Sequence, residues 1–331
     1  METLPLDAYR FALDHTVDAV IITDLNSVIQ YVNPAFSETT GFAAEEAIGK
    51  KPGILRSRQT TAETYKQMWS VIRAGGWWRG EIVNVKKNGE EWYSYLSITQ
   101  IRDGEGRPFA YVGISRDITE MKRLQFQLRD AGLEAIFMLS VASEAKDDVT
   151  GSHIRRVQHY AQALALRLGL SEVEAETIGY SSMMHDIGKM HVPDAVLKKA
   201  GPLTREEWEL MVRHPESGVA ILRDKPFYSV ARDIAGNHHE RWDGSGYPRG
   251  KRGEEIPLAS RIVTVADVFD ALTTRRPYKA AWTIDAALDE LRAQRGKTFD
   301  PRVVDAFLEL WADGVVDAIR RDFPSPESTA V

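Results

Sequence analysis

Cysteine is absent from the 331 residues, which excludes disulfides, thiolate zinc sites, iron–sulfur clusters and cysteine nucleophiles together. Long apolar runs are missing too: no stretch approaches the ~20 residues that a membrane-spanning helix needs. The first residues, Met1-Glu2-Thr3-Leu4-Pro5, carry no basic segment followed by an apolar one, so no signal peptide is expected. A cytoplasmic protein without membrane insertion is the expectation. An excess of positive charge is also lacking. The formal net charge of -6 argues against DNA, RNA or anionic membrane as a general partner and leaves an anionic ligand only a local basic pocket. Histidine is scarce in the first half: His15 alone precedes residue 150, and the other seven of eight fall within 153–239. The length suggests two domains, and the histidines imply that the two do different chemistry.

In the first part, Tyr9 to His15 predicts a short helix, Ala19–Asp24 a buried strand, and Val28–Val32 the second strand of a hairpin. Asn33-Pro34-Ala35-Phe36 starts a helix that Gly41 stops, and Thr61–Ala74 reads as a longer one, with Tyr65, Met68, Trp69 and Ile72 at helical spacing. Three further strands, Trp78–Lys86, Glu91–Ile101 and Pro108–Asp117, are separated by the hairpin signals Lys87-Asn88-Gly89 and Asp103-Gly104-Glu105-Gly106.

These residues resemble a PAS domain over about residues 5–122, through Ile22-Thr23-Asp24, Tyr31-Val32-Asn33-Pro34-Ala35-Phe36, Thr40-Gly41-Phe42, Ile48-Gly49-Lys50 and Gly113-Ile114-Ser115-Arg116-Asp117-Ile118-Thr119. The resemblance implies an α+β fold, a five-stranded antiparallel sheet with flanking helices, acting as a sensor over residues 1–120. Light-sensing flavin chemistry of the cysteine-adduct type is excluded, and His15 reads as an exposed helix residue rather than a haem ligand. Trp77-Trp78-Arg79-Gly80-Glu81-Ile82-Val83-Asn84 resembles the stretch found in PAS redox sensors that bind FAD. The plainer reading is that one tryptophan packs and the other is exposed, and another small molecule, or none, is sensed.

Residues 118–147 form the expected connector helix. Met121, Leu124, Leu128 and Ala131 recur at three- and four-residue steps, Ala135 and Met138 continue them, and the short heptad seam predicts a signalling helix that pairs two protomers. An amphipathic helix packed on its own chain is the alternative. The remainder reads as all helix, with segments at 131–147, 153–168, 172–187, 204–223, 227–239, 258–274, 283–295 and 301–319. Ser171 with Glu174, and Thr204 with Glu207, have capping-box spacing. Residues 323–331 read as a disordered tail.

The chemistry-bearing residues lie in this helical part. His185-Asp186 stands beside a glycine break, His153 opens a helix, and His214 precedes Pro215. His238-His239 close another helix, where both rings can converge on a cleft, and Asp267 sits among apolar neighbours, where a carboxylate needs a partner or a metal. Nitrogen and oxygen donors without sulfur suit iron, manganese or zinc. His159 and His191 read as capping or solvent-facing residues, Trp242 as packing, and Glu240 and Asp243 as groups that orient ligands or the loop.

His185-Asp186-Ile187-Gly188-Lys189, His238-His239-Glu240, Asp243-Gly244 and Gly246-Tyr247-Pro248 together resemble the HD-GYP family of bacterial phosphodiesterases, over about residues 140–320. The resemblance implies an all-α HD-superfamily domain that hydrolyses cyclic di-GMP to pGpG or GMP, or in some members cyclic GMP-AMP. It assigns one metal to His153, His185, Asp186 and Asp267, and a second to Asp186, His214, His238 and His239, with Asp186 bridging. Lys189 would meet a phosphate oxygen, and Tyr247, Arg276 and Lys279 would bind substrate. It also implies a homodimer through the PAS domain and connector, and a GGDEF-type protein partner at the GYP loop. Some members hold a third metal with a glutamate four residues before the first histidine; here that position is Val149, so two metals, iron or manganese, are expected. A substitute ligand such as Glu144 or Asp148 stays open. A catalytically silent binding protein and an HD hydrolase of another phosphoester are the rival readings.

Overall fold

Asn33 ties together the start of the N-terminal unit. Its side-chain oxygen accepts from Phe36 N at 3.0 Å, capping helix α2 (Pro34–Thr40), and from Val20 N at 2.8 Å on strand β1 (Ala19–Asp24). Its amide donates to the Leu13 and Asp18 carbonyls, fixing helix α1 (Leu6–Asp14) beside the strand. Gly41 ends α2 at φ 76°, the left-handed conformation that glycine adopts without strain. The structure, a computed structural model, describes residues 5–144, 151–275 and 280–324. It divides into two compact units, Met1–Arg129 and Asp130–Val331.

The first unit is the expected antiparallel sheet. With β2 (Ile29–Val32), β3 (Trp78–Val85), β4 (Glu91–Arg102) and β5 (Pro108–Asp117), the strand order is β2-β1-β5-β4-β3. Helices α3 (Ala44–Ala47) and α4 (Ala62–Arg73) complete the unit, and Thr61 caps α4. Ala19, Ile29, Val32, Phe36 and Leu55 make one core cluster, and Met68, Ile72 and Tyr111 a second. A cavity of about 490 Å³ lies in this unit, lined by Met68, Trp69, Ile98 and Tyr111 together with Lys51, Arg56 and Arg73. Trp78 packs against the second cluster while Trp77 is exposed, with Arg79 stacked over its ring. The arrangement matches the plainer reading of that pair, and neither tryptophan is among the residues lining the cavity.

Helix α5 (Thr119–Glu144) passes through the division between the units. It is followed by α6 (Gly151–Arg167), α7 (Glu172–Ser182), α8 (Asp194–Leu197), α9 (Arg205–Met211), α10 (His214–Leu222), α11 (Ser229–Asn237), α12 (Leu258–Thr273), α13 (Ile284–Ala293), α14 (Pro301–Ala312) and α15 (Val315–Asp322). The core of the second unit is built from α6, α12 and α14 through Val157, Tyr160, Leu164, Ile262, Phe269 and Phe307, all buried. Both capping boxes form: Ser171 Oγ accepts from Glu174 N at 3.3 Å and Glu174 accepts from Ser171 N, with the same exchange at Thr204 and Glu207.

Three helix expectations need correction. The segment 204–223 is two helices, α9 and α10, because Pro215 lacks the amide hydrogen that a helix interior requires and so marks a new first turn. The segment 301–319 breaks at Gly314, which sits at φ 76°, and resumes as α15. Helix α7 ends at Ser182, so His185-Asp186 lies on the turn before a 3₁₀ segment, Ile187–His191, rather than in the helix. Phe323, assigned to the tail, stacks on His159 at 4.7 Å and accepts from Arg156 through its carbonyl. Residues 325–331 of that tail, and Arg276 and Lys279, lie outside the described residues.

Candidate metal centre

The turn carrying His185 and Asp186 reaches α10 only because two glycines meet there. A Cβ on Gly188 would lie 1.9 Å from the His214 carbonyl oxygen and 2.5 Å from Gly218 N. That close approach sets His214, the first residue of α10, beside Asp186. His238 and His239 follow directly on α11, whose Ala235 packs on Met184 and Ile187. His153 comes from the first turn of α6 and Asp267 from α12, which packs on α6.

Four of the five histidines are fixed through one ring nitrogen. Nδ1 of His185 donates to Ser182 O at 2.8 Å, Nδ1 of His214 to Met211 O at 2.8 Å, and Nδ1 of His238 to Ala235 O at 3.0 Å. Nδ1 of His153 donates to Asp270 Oδ2 at 2.7 Å. With the proton on Nδ1, a neutral imidazole leaves the Nε2 lone pair free, and these four Nε2 atoms converge. His153 Nε2 stands 3.5 Å from Asp267 Oδ1, and His185 Nε2 stands 3.4 Å from Asp186 Oδ2. On the other side, Asp186 Oδ1 is 3.3 Å from His214 Nε2 and 3.4 Å from His238 Nε2. Asp186, His214, His238 and His239 can place ligand atoms within 4.8 Å of one another, and so can Glu144, His153 and His185.

The centre is therefore a buried set of acceptors with too few donors. Among the described residues, His185 Nε2, Asp186 Oδ1 and both Glu144 oxygens have no hydrogen-bond partner. Water or a hydroxyl could satisfy one such atom, but several converging lone pairs and carboxylates call for cations. Protons supply part of that charge. Burial alone would lower the His185 pKa, yet Asp186, Asp267 and Glu144 raise it to about 10. His214, buried and close to His238, is lowered to about 4. Asp186 is held well below the ordinary carboxylate range, against the effect of its burial, by Lys189 and His185, and Lys189 Nζ lies 2.8 Å from its Oδ2. The donor set fits divalent metal ions.

Two residues of the centre carried no motif in the sequence. Asp270 is fully buried and orients His153, and Arg156 grips it with Nε at 2.6 Å from Oδ1 and Nη2 at 2.9 Å from Oδ2. A carboxylate behind a ligating histidine fixes its ring and raises its basicity. The signal was spacing: Asp270 follows Asp267 by one helical turn and Arg156 follows His153 by one turn. Asp270→Asn is expected to lower metal affinity about 10–100-fold and to destabilise the fold by about 3–5 kcal/mol, because the Arg156 charge stays buried without its partner. Competition with a chelator and a thermal melt measure the two effects.

The loop after His239 is held from below. Glu240, buried, accepts from Arg249 N at 2.8 Å and Lys251 N at 3.1 Å, and Asp243 Oδ1 accepts from Ser245 N at 2.9 Å. Tyr247 stacks on His239 with ring centroids 4.7 Å apart, and its peptide bond to Pro248 is cis. Trp242 is half-buried under Arg261. His159 and His191 lie outside both ligand groups, and His191 is exposed. His15 is exposed and stacked on Phe11.

A sheet of five antiparallel strands is followed by a helical unit with a histidine–aspartate centre that fits divalent metal, and comparison with known proteins finds the matching two domains. The family model described as the PAS fold matches residues 7–118, and the HD domain model matches residues 139–303. The chain is a PAS domain followed by an HD domain. It is 51% identical over 177 residues, 53% of this chain and 47% of the other, to the cyclic di-GMP phosphodiesterase response regulator RpfG of Xanthomonas campestris. It is 40% identical over 234 residues, 65% and 44% of the two chains, to 3'3'-cGAMP-specific phosphodiesterase 2 of Vibrio cholerae. A cyclic di-GMP phosphodiesterase of Thermotoga maritima is 41% identical over 198 residues, 59% and 54% of the chains. The chain spans about half the length of these curated relatives. Among its described residues, no helix is long and apolar enough to cross a membrane.

Proposed function

We propose that the chain is a metal-dependent phosphodiesterase of the HD-GYP type that hydrolyses cyclic di-GMP to pGpG or GMP under the control of its PAS domain. The observation that carries this reading is the division of Asp186, whose Oδ2 faces His185 and Lys189 while Oδ1 faces His214 and His238. One ion would take His153, His185, Asp186 and Asp267, the other Asp186, His214, His238 and His239. Iron or manganese suits these nitrogen and oxygen donors. Two such ions would supply Lewis acidity and an activated water to an in-line displacement at phosphorus. Lys189, three residues beyond Asp186, offers its ammonium to a phosphoryl oxygen as negative charge builds there. The Tyr247–His239 stack forms an aromatic wall for the substrate. Arg276 and Lys279 keep the substrate role that the sequence resemblance implies for them.

The names of the Xanthomonas and Thermotoga relatives favour cyclic di-GMP, and that of the Vibrio relative favours 3'3'-cGAMP as a second reading. The filled set of donor positions weighs against a silent binding protein. Manganese- or iron-loaded protein should convert cyclic di-GMP to linear product on chromatography, faster than 3'3'-cGAMP. Faster turnover of 3'3'-cGAMP supports the second reading, and no turnover of either with any metal rejects both.

Metal loading should release protons. His185, with its pKa raised to about 10, is protonated at neutral pH in the metal-free protein and must give up that proton to coordinate. Affinity for manganese should therefore rise from pH 6 to pH 8, and calorimetry in buffers of different ionisation enthalpy should count the protons.

For the PAS domain the reading is a small-molecule sensor. Its cavity of about 490 Å³, with aromatic walls and the cations Lys51, Arg56 and Arg73, suits an aromatic anion, FAD being one candidate. Met121, Leu124 and Leu128 are exposed along α5, which favours pairing of two protomers there. A GGDEF-type partner at the loop around Tyr247 rests on the resemblance alone. A multiply charged dinucleotide does not cross a bilayer unaided, so an enzyme for it belongs in the cytoplasm with its substrate.

A further inference from the structure

We propose that Glu144 is a ligand of the ion at the His153–His185 end of the centre, a role assigned to none of the family-implied positions. The inference rests on the two-metal reading and deepens it. Glu144 is the last residue of α5 and is 2% exposed. Neither of its oxygens has a hydrogen-bond partner among the described residues. Three other buried carboxylates of this unit are satisfied: Asp270 by Arg156, Asp300 by Arg261, and Glu240 by two backbone amides. Glu144 instead brings an oxygen within 4.8 Å of ligand nitrogens on both His153 and His185.

Its placement is built rather than incidental. Ile136, two turns earlier on α5, packs against Met184, Ile187 and Leu222, which fixes this end of the helix to the turn that carries His185. A buried carboxylate without a hydrogen-bond partner, within reach of two histidines of the centre, is a hard oxygen ligand for a cation held there. The ligand would be the end residue of the helix that follows the last PAS strand.

The test titrates manganese(II) into the metal-stripped full chain by calorimetry, with metal content counted by mass spectrometry. Wild type should bind two ions. Glu144→Gln should weaken one of them at least about 10-fold and leave the other unchanged. Without metal, Glu144→Gln should melt close to the wild-type temperature, since neither oxygen accepts a hydrogen bond that the amide would lose; a purely structural role predicts a lower melt instead. Glu144→Asp keeps the charge but withdraws the oxygens by one methylene, and should also weaken one ion, which covers the case in which the amide variant fails to fold. Wild-type affinity for both ions in both variants, or in the aspartate variant when the amide variant does not fold, overturns the proposal. A wild-type chain that binds no metal overturns the two-metal reading itself.

Discussion

Asp186→Ala is expected to abolish binding of both metal ions together, and turnover with them. The expectation follows from the two oxygens of one carboxylate serving two donor sets, with His185 Nε2 at 3.4 Å from Oδ2, and His214 and His238 Nε2 at 3.3 and 3.4 Å from Oδ1. Removing any other single ligand leaves at least one set intact. Asp186→Ala also removes the ion pair to Lys189, at 2.8 Å, so that lysine loses its anchor beside the reacting group. A fall of at least about 10³ in kcat/KM is expected, or about 4 kcal/mol of transition-state stabilisation. His214→Ala is the comparison: it should lose one ion and keep the other. Retention of one tightly held ion by Asp186→Ala would contradict the bridge.

Gly188→Ala should destabilise the second unit strongly, since among the described glycines an added Cβ meets its closest neighbour there. The added Cβ would sit 1.9 Å from the His214 carbonyl oxygen and 2.5 Å from Gly218 N, both backbone atoms that no side-chain rotation can move. Relief requires the 3₁₀ turn and α10 to separate, and His214 moves with α10. Overpacking of this kind costs about 3 kcal/mol or more, which lowers Tm by about 6–12 °C in a domain of this size. The metal-free variant should therefore melt early, and any folded fraction should bind one ion more weakly. His214→Ala separates the two consequences, since it deletes the ligand without the collision. A Gly188→Ala protein with wild-type melting and metal content would show that the two backbones are not held so close.

What the sequence disclosed, and what it hid, follows from the range of the interactions involved. Asn33-Pro34 announced its helix because a cap is a local hydrogen bond, and Gly41 announced the end because its conformation is a property of one residue. His185-Asp186 and His238-His239 were legible because adjacent polar residues at element ends have little use in a core. Asp270 and Arg156 were not, since each looks like an ordinary helical charge until α6 and α12 are packed and the pair closes on His153. Glu144 entered only as a substitute ligand; its burial depends on how the end of α5 meets the turn at Ile187. The break between α9 and α10 is marked by Pro215 but masked by apolar residues that keep helical spacing on both sides of it, at Trp208, Met211, Val219 and Leu222.

The measurement that tests the account most directly is an anomalous difference map, collected at the manganese edge from crystals of the manganese-loaded protein. Two peaks ~3.5–4 Å apart, one on each side of the Asp186 carboxylate, are predicted. The first should lie among Glu144, His153, His185 and Asp267, the second among His214, His238 and His239. A single peak, or a pair to which Asp186 contributes only one oxygen, would contradict the two-metal centre.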